Sequence, residues 1–586
     1  IYLIQITSLH QTYSPIYLSN MNKSLLVTAL LAVAPYTSLA DVMPKEAYKA
    51  MLNLFAYDAN GKLLRSGTAF YIDAQGHAAT SYSLLRDAAR AEVIDTKGKK
   101  HQVVRILGGD ATTDLVKFST SQTKPTDFFR LTDTAGTTGS DWQLVSYSSD
   151  KKKTLQTVKV NGDEAFNQYR YYQVSAANDA SLMACPLIDE AGNLMAVVQR
   201  NVNASATTAC AIDARFLNEL TIRPTSAFSN DLRAIHIPKA LPAKSSEAMA
   251  YLFMIPKTDT LSLQTAHNDF VEAYPTLPDG YMNRASFRAS LKDYAGADAD
   301  FQTAFAKAEA DTTGTKLDAV HHSLSQLIYQ TVVAKGDTLP VYPTWTLARA
   351  EAEATQAYTI HPFTLYLMQQ GNCRYAQGNY TGAYESFNRA CEDRKFASYE
   401  TFFAAARALE RTGTDSTRVI ALLDSCIAHL PQPANARHAH FYFERAQRLI
   451  QAKRFREAVF DYNEYEKLVG PRNLNERFYY LRHLAEVEAR MYQQALDDLH
   501  SAIAQSATPL PYRLDEAYLL LRIGELDTAA RAARALLKEL PENPDCYKII
   551  GIVLGEQGKK AEAIQSLNKA QQLGDDTVAP LIEKYQ

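Results

Sequence analysis

Two different periods of apolar and polar residues divide the chain. From about Ala47 to Leu217, apolar residues alternate with polar ones in short stretches, separated by turn residues such as Asn-Gly and Gln-Gly at roughly 8–12 residue intervals. From Ser246 onward the apolar residues recur at helical spacing. The pattern predicts a multidomain protein with an all-β barrel or sandwich first and an all-α part second. An aperiodic linker with three prolines is predicted over residues 223–245.

Segments of the α part repeat one another. Residues 371–391 (GNCRYAQGNYTGAYESFNRAC) can be laid over residues 551–571 (GIVLGEQGKKAEAIQSLNKAQ) with their glycine, alanine and large apolar positions in register. Small residues at these positions let two antiparallel helices approach closely. The pattern resembles the tetratricopeptide repeat (TPR). That resemblance implies a solenoid of about seven or eight helical hairpins over residues 246–577, followed by the end of a C-terminal helix at residues 578–586.

The resemblance also implies a concave groove lined by the first helix of each hairpin. The side chains expected to face this groove are Asn372, Tyr375, His440, Phe443, Gln447, Arg477 and Tyr480. They mix aromatic and polar groups, which suits extended or helical peptides, so a protein or peptide ligand is the predicted partner. The sequence contains no evident cluster of Lys and Arg of the kind that clamps a C-terminal carboxylate, and an acidic tail is not the expected ligand.

Three motifs of the β part resemble trypsin-like serine peptidases of the secreted bacterial high-temperature-requirement type. Residues 67–88 (GTAFYIDAQGHAATSYSLLRDA) resemble the segment that leads to the catalytic His of that family, and residues 108–118 (GGDATTDLVKF) resemble the segment of its catalytic Asp. Residues 181–198 (SLMACPLIDEAGNLMAVV) resemble the loop and strand of its nucleophilic Ser. The resemblance implies a trypsin-like double β-barrel for residues 41–222.

The resemblance places the three catalytic positions on Ser83, Asp114 and Met183. A serine hydroxyl is not a general base near neutral pH, and a thioether has no proton to lose and no nucleophilic role in acyl transfer. Ser181 replaces the glycine of the oxyanion position, and a residue with a Cβ disfavours the backbone angles that glycine tolerates there. Without its histidine, Asp114 is expected to cap a turn or to accept bonds from backbone N–H groups. No intact catalytic set remains, which predicts a pseudoprotease.

An active peptidase would need a different set of groups. Ser181 or Ser175 would have to attack, with His77 as the base, although His77 has the position of a surface turn residue. Cys185 lies two residues after the nucleophile position, but the sequence places no histidine beside it. His101 lies in a strand segment and is expected to be solvated or structural.

Three functional hypotheses follow from the two halves. The first is an exported, non-enzymatic scaffold that binds proteins or peptides through its repeats. The alternative is a secreted serine endopeptidase whose repeats recruit substrate. A third hypothesis is an assembly scaffold for cell-envelope machinery.

The first forty residues are expected to lie outside the mature fold. Residues 21–40 have the features of a signal peptide, with a positive start, a short apolar run and a small-x-small cleavage site that ends at Ala40. The apolar run is about half the ~20 residues needed to span a bilayer, so no membrane span is expected in the mature chain. Residues 1–20 are expected to be a non-native upstream extension. The protein is therefore predicted to be exported, to the periplasm or out of the cell.

The composition of the chain argues against nucleic acid as a partner and against a bound cofactor. A formal charge of −3 and an isoelectric point near 6.5 provide no positive electrostatic field that would attract nucleic acid. The six cysteines form no C-x-x-C pair, and neither a metal nor another cofactor is predicted. Export permits disulfides, and Cys185 and Cys210 are the candidate pair because they fall on what are read as neighbouring strands. The sequence does not fix the oligomeric state.

Overall fold

The computed structural model describes residues 44–148, 150, 152–199, 207–310, 316–335 and 342–586. The expected signal peptide and upstream extension lie outside these residues. The chain divides into two compact units, of which one ends at Ser262 and the other begins at Leu263. Within the described residues, no helix is both long enough and apolar enough to cross a membrane.

The first unit is built on two closed antiparallel β-barrels of six strands each. In both barrels the third strand pairs with the sixth and the fourth pairs with the first, so the two barrels have the same topology. The strands are β1 (Met51–Tyr57), β2 (Leu63–Tyr71), β3 (His77–Ser81), β4 (Arg90–Asp95), β5 (Lys100–Asp110), β6 (Leu115–Thr120), β7 (Asp141–Tyr147), β8 (Lys153–Phe166), β9 (Tyr169–Val174), β10 (Pro186–Ile188), β11 (Leu194–Gln199) and β12 (Ala209–Asp213). The predicted all-β double barrel is confirmed.

The alternation read from the sequence corresponds to the two faces of the strands. On β5, His101 and Val103 are buried while Gln102 and Val104 are exposed, because successive side chains of a strand point to opposite faces. Closure of each sheet leaves no unpaired strand edge, so the barrels bury their apolar faces inward without offering a template for further strands.

Three short helices complete the first unit: α1 (Tyr82–Leu85), α2 (Asn230–Arg233) and α3 (Ser245–Met254). Residues 223–245, expected to be a linker, pack on the first barrel. Ile106 donates its N–H to Pro238 O at 2.8 Å and accepts one from Ala240 at 2.8 Å, and the Tyr82 hydroxyl donates to Asp231 O at 3.0 Å. The boundary between the compact units therefore lies beyond the predicted linker, within α4 (Thr260–Ala273).

The second unit is entirely helical in the residues that the structure describes. The helices after α4 are α5 (Pro278–Ser290), α6 (Tyr294–Ala310), α7 (Leu317–Lys335), α8 (Leu347–Ile360), α9 (Thr364–Ala376), α10 (Tyr380–Cys391), α11 (Tyr399–Arg411), α12 (Ser416–Ala428), α13 (Ala439–Gln451), α14 (Phe455–Val469), α15 (Glu476–Glu488), α16 (Tyr492–Gln505), α17 (Leu510–Arg522), α18 (Leu526–Leu537), α19 (Pro544–Glu556), α20 (Lys560–Gln572) and α21 (Ala579–Tyr585). From α5 to α20 they pair into eight successive hairpins, each packed on the next. The predicted all-α second part is confirmed.

Small residues sit where the two helices of a hairpin touch. A Cβ added at Gly371 on α9 would lie 2.4 Å from the ring of Phe387 on α10, and one at Gly551 on α19 would lie 2.7 Å from Leu567 on α20. Ala383 and Ala563, the alanines that the overlay aligned, are fully buried. The helices approach closely because these positions carry no large side chain.

Ion pairs with buried aspartates join the two helices of three hairpins at equivalent positions. Arg284, Arg445 and Arg482 on the first helices each hold an aspartate sixteen residues later on the second helix, through two N–H···O bonds of 2.7–3.0 Å. Each arginine also donates to a group on the helix before its own hairpin. These arginines therefore tie each hairpin to the preceding helix as well as closing it.

Candidate functional sites

Asp114 has a structural role at the end of the first barrel. Its carboxylate accepts hydrogen bonds from the Ser83 N–H at 2.8 Å and the Ser83 hydroxyl at 2.7 Å, and a further one from the Ser81 hydroxyl. The backbone carbonyl of Asp114 accepts the Tyr82 N–H at 3.0 Å. These bonds satisfy N–H groups at the start of α1, which have no partner within the helix itself. Asp114 therefore caps this helix.

The loop at the nucleophile position forms a single 3-10 turn over Ala180–Leu182. The N–H of Ser181 donates to the carboxylate of Asp179 at 2.7 Å, and the N–H of Met183 donates to Ala180 O at 3.3 Å. The bond from Ser181 holds the pKa of Asp179 below its ordinary value. In a trypsin-like enzyme, the N–H groups at these two positions point at the oxyanion. Here the N–H groups of Ser181 and Met183 both donate to acceptors within the loop itself, instead of pointing at an oxyanion.

The two residues after Met183 pack as core. Ala184 adopts a left-handed φ of 61° and donates its N–H to Val198 O at 2.9 Å. Cys185 is fully buried, its Sγ lies 3.9 Å from Thr68 Oγ1, and burial raises the pKa of its thiol to about 12. A buried thiol with so high a pKa holds no thiolate at neutral pH, so Cys185 is not a nucleophile.

The strand order argues against the possible Cys185–Cys210 disulfide. Cys185 O accepts the N–H of Val198, and Cys210 pairs with Gln199, so the two cysteines flank β11 on opposite sides. Two strand spacings separate them by roughly 9–10 Å, beyond the limit of about 7 Å between the Cα atoms of a disulfide. Val198 and Gln199 also point to opposite faces, so the cysteines opposite them do too. Among the described residues no disulfide joins the two.

The groups required by an alternative catalytic set are engaged elsewhere. The His77 ring binds Asp73 through Nδ1 at 2.6 Å, at the opposite end of β3 from Ser81. The length of β3 separates these ends by roughly 13 Å. The Ser175 hydroxyl accepts the N–H of Lys159 at 2.7 Å. The structure does not bring His77 to the loop of Ser181.

His101 is structural rather than solvated. Its ring is buried in the first barrel, where its Nε2 lies 3.6 Å from the carboxylate of Asp95. It is therefore part of the barrel core and is not available to a reacting group.

Two of the seven side chains predicted for the groove contact neighbouring helices. The Tyr480 hydroxyl on α15 donates to Asp515 on α17 at 2.8 Å, and burial together with this bond raises its pKa to about 12. The ring of Phe443 packs 5.5 Å from Tyr462 and 5.3 Å from Tyr465 on the second helix of its own hairpin. These two residues hold helices together.

The remaining predicted groove residues are more accessible. Arg477 and His440 are exposed, and Asn372 and Gln447 are half-buried. The His440 Nδ1 lies 2.9 Å from Arg437 O, and Gln447 accepts a 3.4 Å bond from Arg448. Their placement leaves all four with surface that a ligand can reach.

Tyr375 lines an open cavity of about 530 Å³ formed by three successive first helices, α9, α11 and α13. The other lining residues are Arg407, Glu410, Arg411, Gly413, Glu444 and Arg448. The linear sequence did not reveal this cluster of arginines, because its members come from two helices and are brought together only by the stacking of hairpins. In the described part of the chain, no group of three or more His, Cys, Asp or Glu side chains is placed to hold a metal ion.

Comparisons with known proteins find similarity in solved structures only. No family model matches the sequence, and the search of curated proteins gives no match. The active form of the Rv3671c protease from M. tuberculosis is 15% identical, with a TM-score of 0.27, over 34% of this chain and 85% of that one. The serine endoprotease from Yersinia pestis is also 15% identical, with a TM-score of 0.26, over 30% of this chain and 62% of that one. At this level of similarity, the matches assign no residue role to this chain.

Proposed function

We propose that the protein is a non-enzymatic scaffold in which a catalytically inactive trypsin-like domain precedes TPR-type repeats that bind peptides or proteins. The observation that carries the first half of the proposal is the loop of Met183. Met183 stands at the position that the resemblance gives to the nucleophile, and the N–H groups of Ser181 and Met183 are bonded to Asp179 and Ala180.

The base is missing as well. Ser83 occupies its position, and the hydroxyl of Ser83 donates to Asp114, which leaves the pair as a helix cap. Recruitment of a replacement base is not favoured, because the His77 ring is bound to Asp73 at the far end of its strand. The endopeptidase alternative thus lacks a supporting contact in the described residues.

The binding half of the proposal rests on the helical unit. Its first helices carry accessible polar and aromatic side chains, including Asn372 and Tyr375 on α9, His440 on α13 and Arg477 on α15. A series of hairpins presents such side chains as one extended surface, which suits an extended or helical peptide.

The test uses the purified full chain and reduced, unfolded casein. Fluorescently quenched casein measures hydrolysis, and immobilised casein measures capture. Capture without hydrolysis is the expected result. Hydrolysis that persists through repurification and is lost in Ser181→Ala would overturn the inactive-domain proposal, and failure to capture casein would count against the peptide-binding half.

Export is part of the same proposal and rests on the signal-peptide features of residues 21–40. Cell fractionation followed by N-terminal sequencing tests it. A periplasmic or secreted chain that begins after Ala40 is expected, whereas a cytoplasmic chain that keeps these residues would refute it.

A further inference from the structure

The cavity that Tyr375 lines contains more positive than negative charge. Three arginines and two glutamates line it, which leaves one net positive charge. Both glutamates are bound to one arginine, since Arg448 lies 2.6 Å from Glu410 and 3.3 Å from Glu444. The acidic groups of the cavity are therefore neutralised internally, and the other two arginines set the charge that a ligand meets.

Those two arginines, Arg407 and Arg411, have no carboxylate within ion-pair distance among the described residues. The Arg407 guanidinium lies 5.6 Å from the centre of the Tyr375 ring and 5.9 Å from that of Phe403. Arg411 lies 4.8 Å above the Tyr380 ring and donates one bond, of 2.9 Å, to the Tyr380 hydroxyl. Stacking on rings orients a guanidinium without using most of its N–H donors.

The same helices present apolar side chains beside the arginines. Leu365 and Met368 precede Tyr375 on α9 at helical spacing, and Phe403 precedes Arg407 by one turn of α11. Leu365 is 49% exposed, while Met368 and Phe403 are half-buried. Phe403 thus places an apolar ring directly beside the guanidinium of Arg407.

We propose that this cavity is a binding site for an acidic side chain of an extended peptide, held by Arg407 and Arg411, with an adjacent apolar side chain of the same peptide against Phe403, whose ring centre lies 5.9 Å from the Arg407 guanidinium. A guanidinium fork matches a carboxylate bidentately, and stacking on Tyr375 or Tyr380 holds each fork in place before the ligand arrives. This inference rests on the proposed peptide-binding function and specifies the ligand class of one site.

The experiment measures fluorescence anisotropy of labelled, C-terminally amidated peptides with the full chain. One peptide is Gly-Leu-Glu-Ala-Glu-Leu-Gly, and its partner has Gln in place of both Glu residues. A third probe is the Gln peptide with a free C-terminal carboxylate. Each is titrated against wild type, Arg407→Gln, Arg411→Gln and the matched control Arg389→Gln. Arg389 also stacks on a tyrosine, 5.2 Å from the Tyr358 ring, but does not line the cavity.

Wild type is expected to bind the Glu peptide roughly tenfold to a hundredfold more tightly than the Gln peptide, the size of a lost charge-assisted hydrogen bond. Arg407→Gln and Arg411→Gln should each abolish most of that preference, and Arg389→Gln should keep it. Equal binding of the amidated Glu and Gln peptides would overturn this inference while leaving peptide binding intact. Preference for the free C-terminal carboxylate over both amides would also overturn it. Failure of all three peptides, with casein still captured, would refute the site alone; failure of casein as well would refute the proposed function.

Discussion

Removal of the Arg482 side chain should strongly lower the stability of the helical unit. It is 8% exposed and holds Asp498 through bonds of 2.7 and 2.8 Å, Asn463 at 2.8 Å and Glu466 at 2.5 Å. Glu486 is buried 3.9 Å away, and its Oε2 has no hydrogen-bond partner. Arg482→Met leaves the buried Asp498 without its cation, and breaking a buried pair in this way costs about 3–5 kcal/mol.

The stability lost in Arg482→Met should increase as the pH rises. Burial raises the pKa of Glu486 and of Asp498 above their ordinary values of 4.5 and 3.8. For such groups, folding is favoured below the ordinary pKa, and this contribution is lost as pH rises through the raised value. Removing Arg482 raises both pKa values further. The deficit of Arg482→Met relative to wild type is therefore expected to be small near pH 4 and to grow towards pH 8 as Asp498 ionises, whereas Glu486, whose pKa burial raises to about 8, adds to the deficit only above that pH.

Hydrogen exchange measured by mass spectrometry is the suitable assay, because repeat arrays need not unfold in one step. Opening free energies of α14, α15 and α16 are compared in the full chain at pH 5 to 8. Arg454→Met is the matched control, since its ion pair with Glu457 is exposed, and it should cost less than about 1 kcal/mol. A deficit for Arg482→Met no larger than that of the control at pH 8, or one that does not change with pH, would refute this reasoning.

Three further predictions concern packing, capping and the cysteines. Gly371→Ala should lower stability by about 1–3 kcal/mol in urea unfolding, because its Cβ meets the Phe387 ring at 2.4 Å, whereas Gly162→Ala, with nothing within 4 Å, should change little. Asp114→Ala should destabilise the first unit by about 0.5–2 kcal/mol and Asp114→Asn by less, as followed by Trp142 fluorescence in a Trp345→Phe background; equal stability of Asp114→Ala and wild type would contradict the capping role. Cys185 should resist iodoacetamide at pH 8 until the chain is denatured, and a non-reducing peptide map should contain no Cys185–Cys210 linkage; rapid native labelling or a linked peptide would contradict the packing described.

The sequence predicted the parts of the structure that depend on local spacing. Alternation along β5 follows from the two faces of a strand, and the small residues at Gly371 and Ala383 follow from the contact distance between two helices of one hairpin. Both signals need only a few residues along the chain. The sequence also predicted that Asp114 would cap a turn or accept backbone N–H bonds, although its partner Ser83 lies 31 residues away.

Features that depend on the stacking of distant segments were missed. The disulfide prediction placed Cys185 and Cys210 on adjacent strands, but β11 lies between them. Tyr480 was expected to face a ligand, yet it bonds to Asp515 on another hairpin, 35 residues away. Arg407 and Arg448 meet at one cavity only because α11 and α13 are neighbours in the array. Repeat position indicates the face of a helix, but not which neighbouring side chain occupies the space in front of it.

Active-site labelling shows whether the first unit contains an activated serine. The purified full chain is treated with a fluorophosphonate probe beside trypsin as a positive control, and any adduct is located by mass spectrometry. Trypsin should be labelled, and this chain should carry no stoichiometric adduct. The reason is that Met183 stands at the proposed nucleophile position and the N–H groups of Ser181 and Met183 bond to Asp179 and Ala180. A stoichiometric adduct on Ser181 or Ser175, abolished by substitution of that serine with alanine, would contradict it.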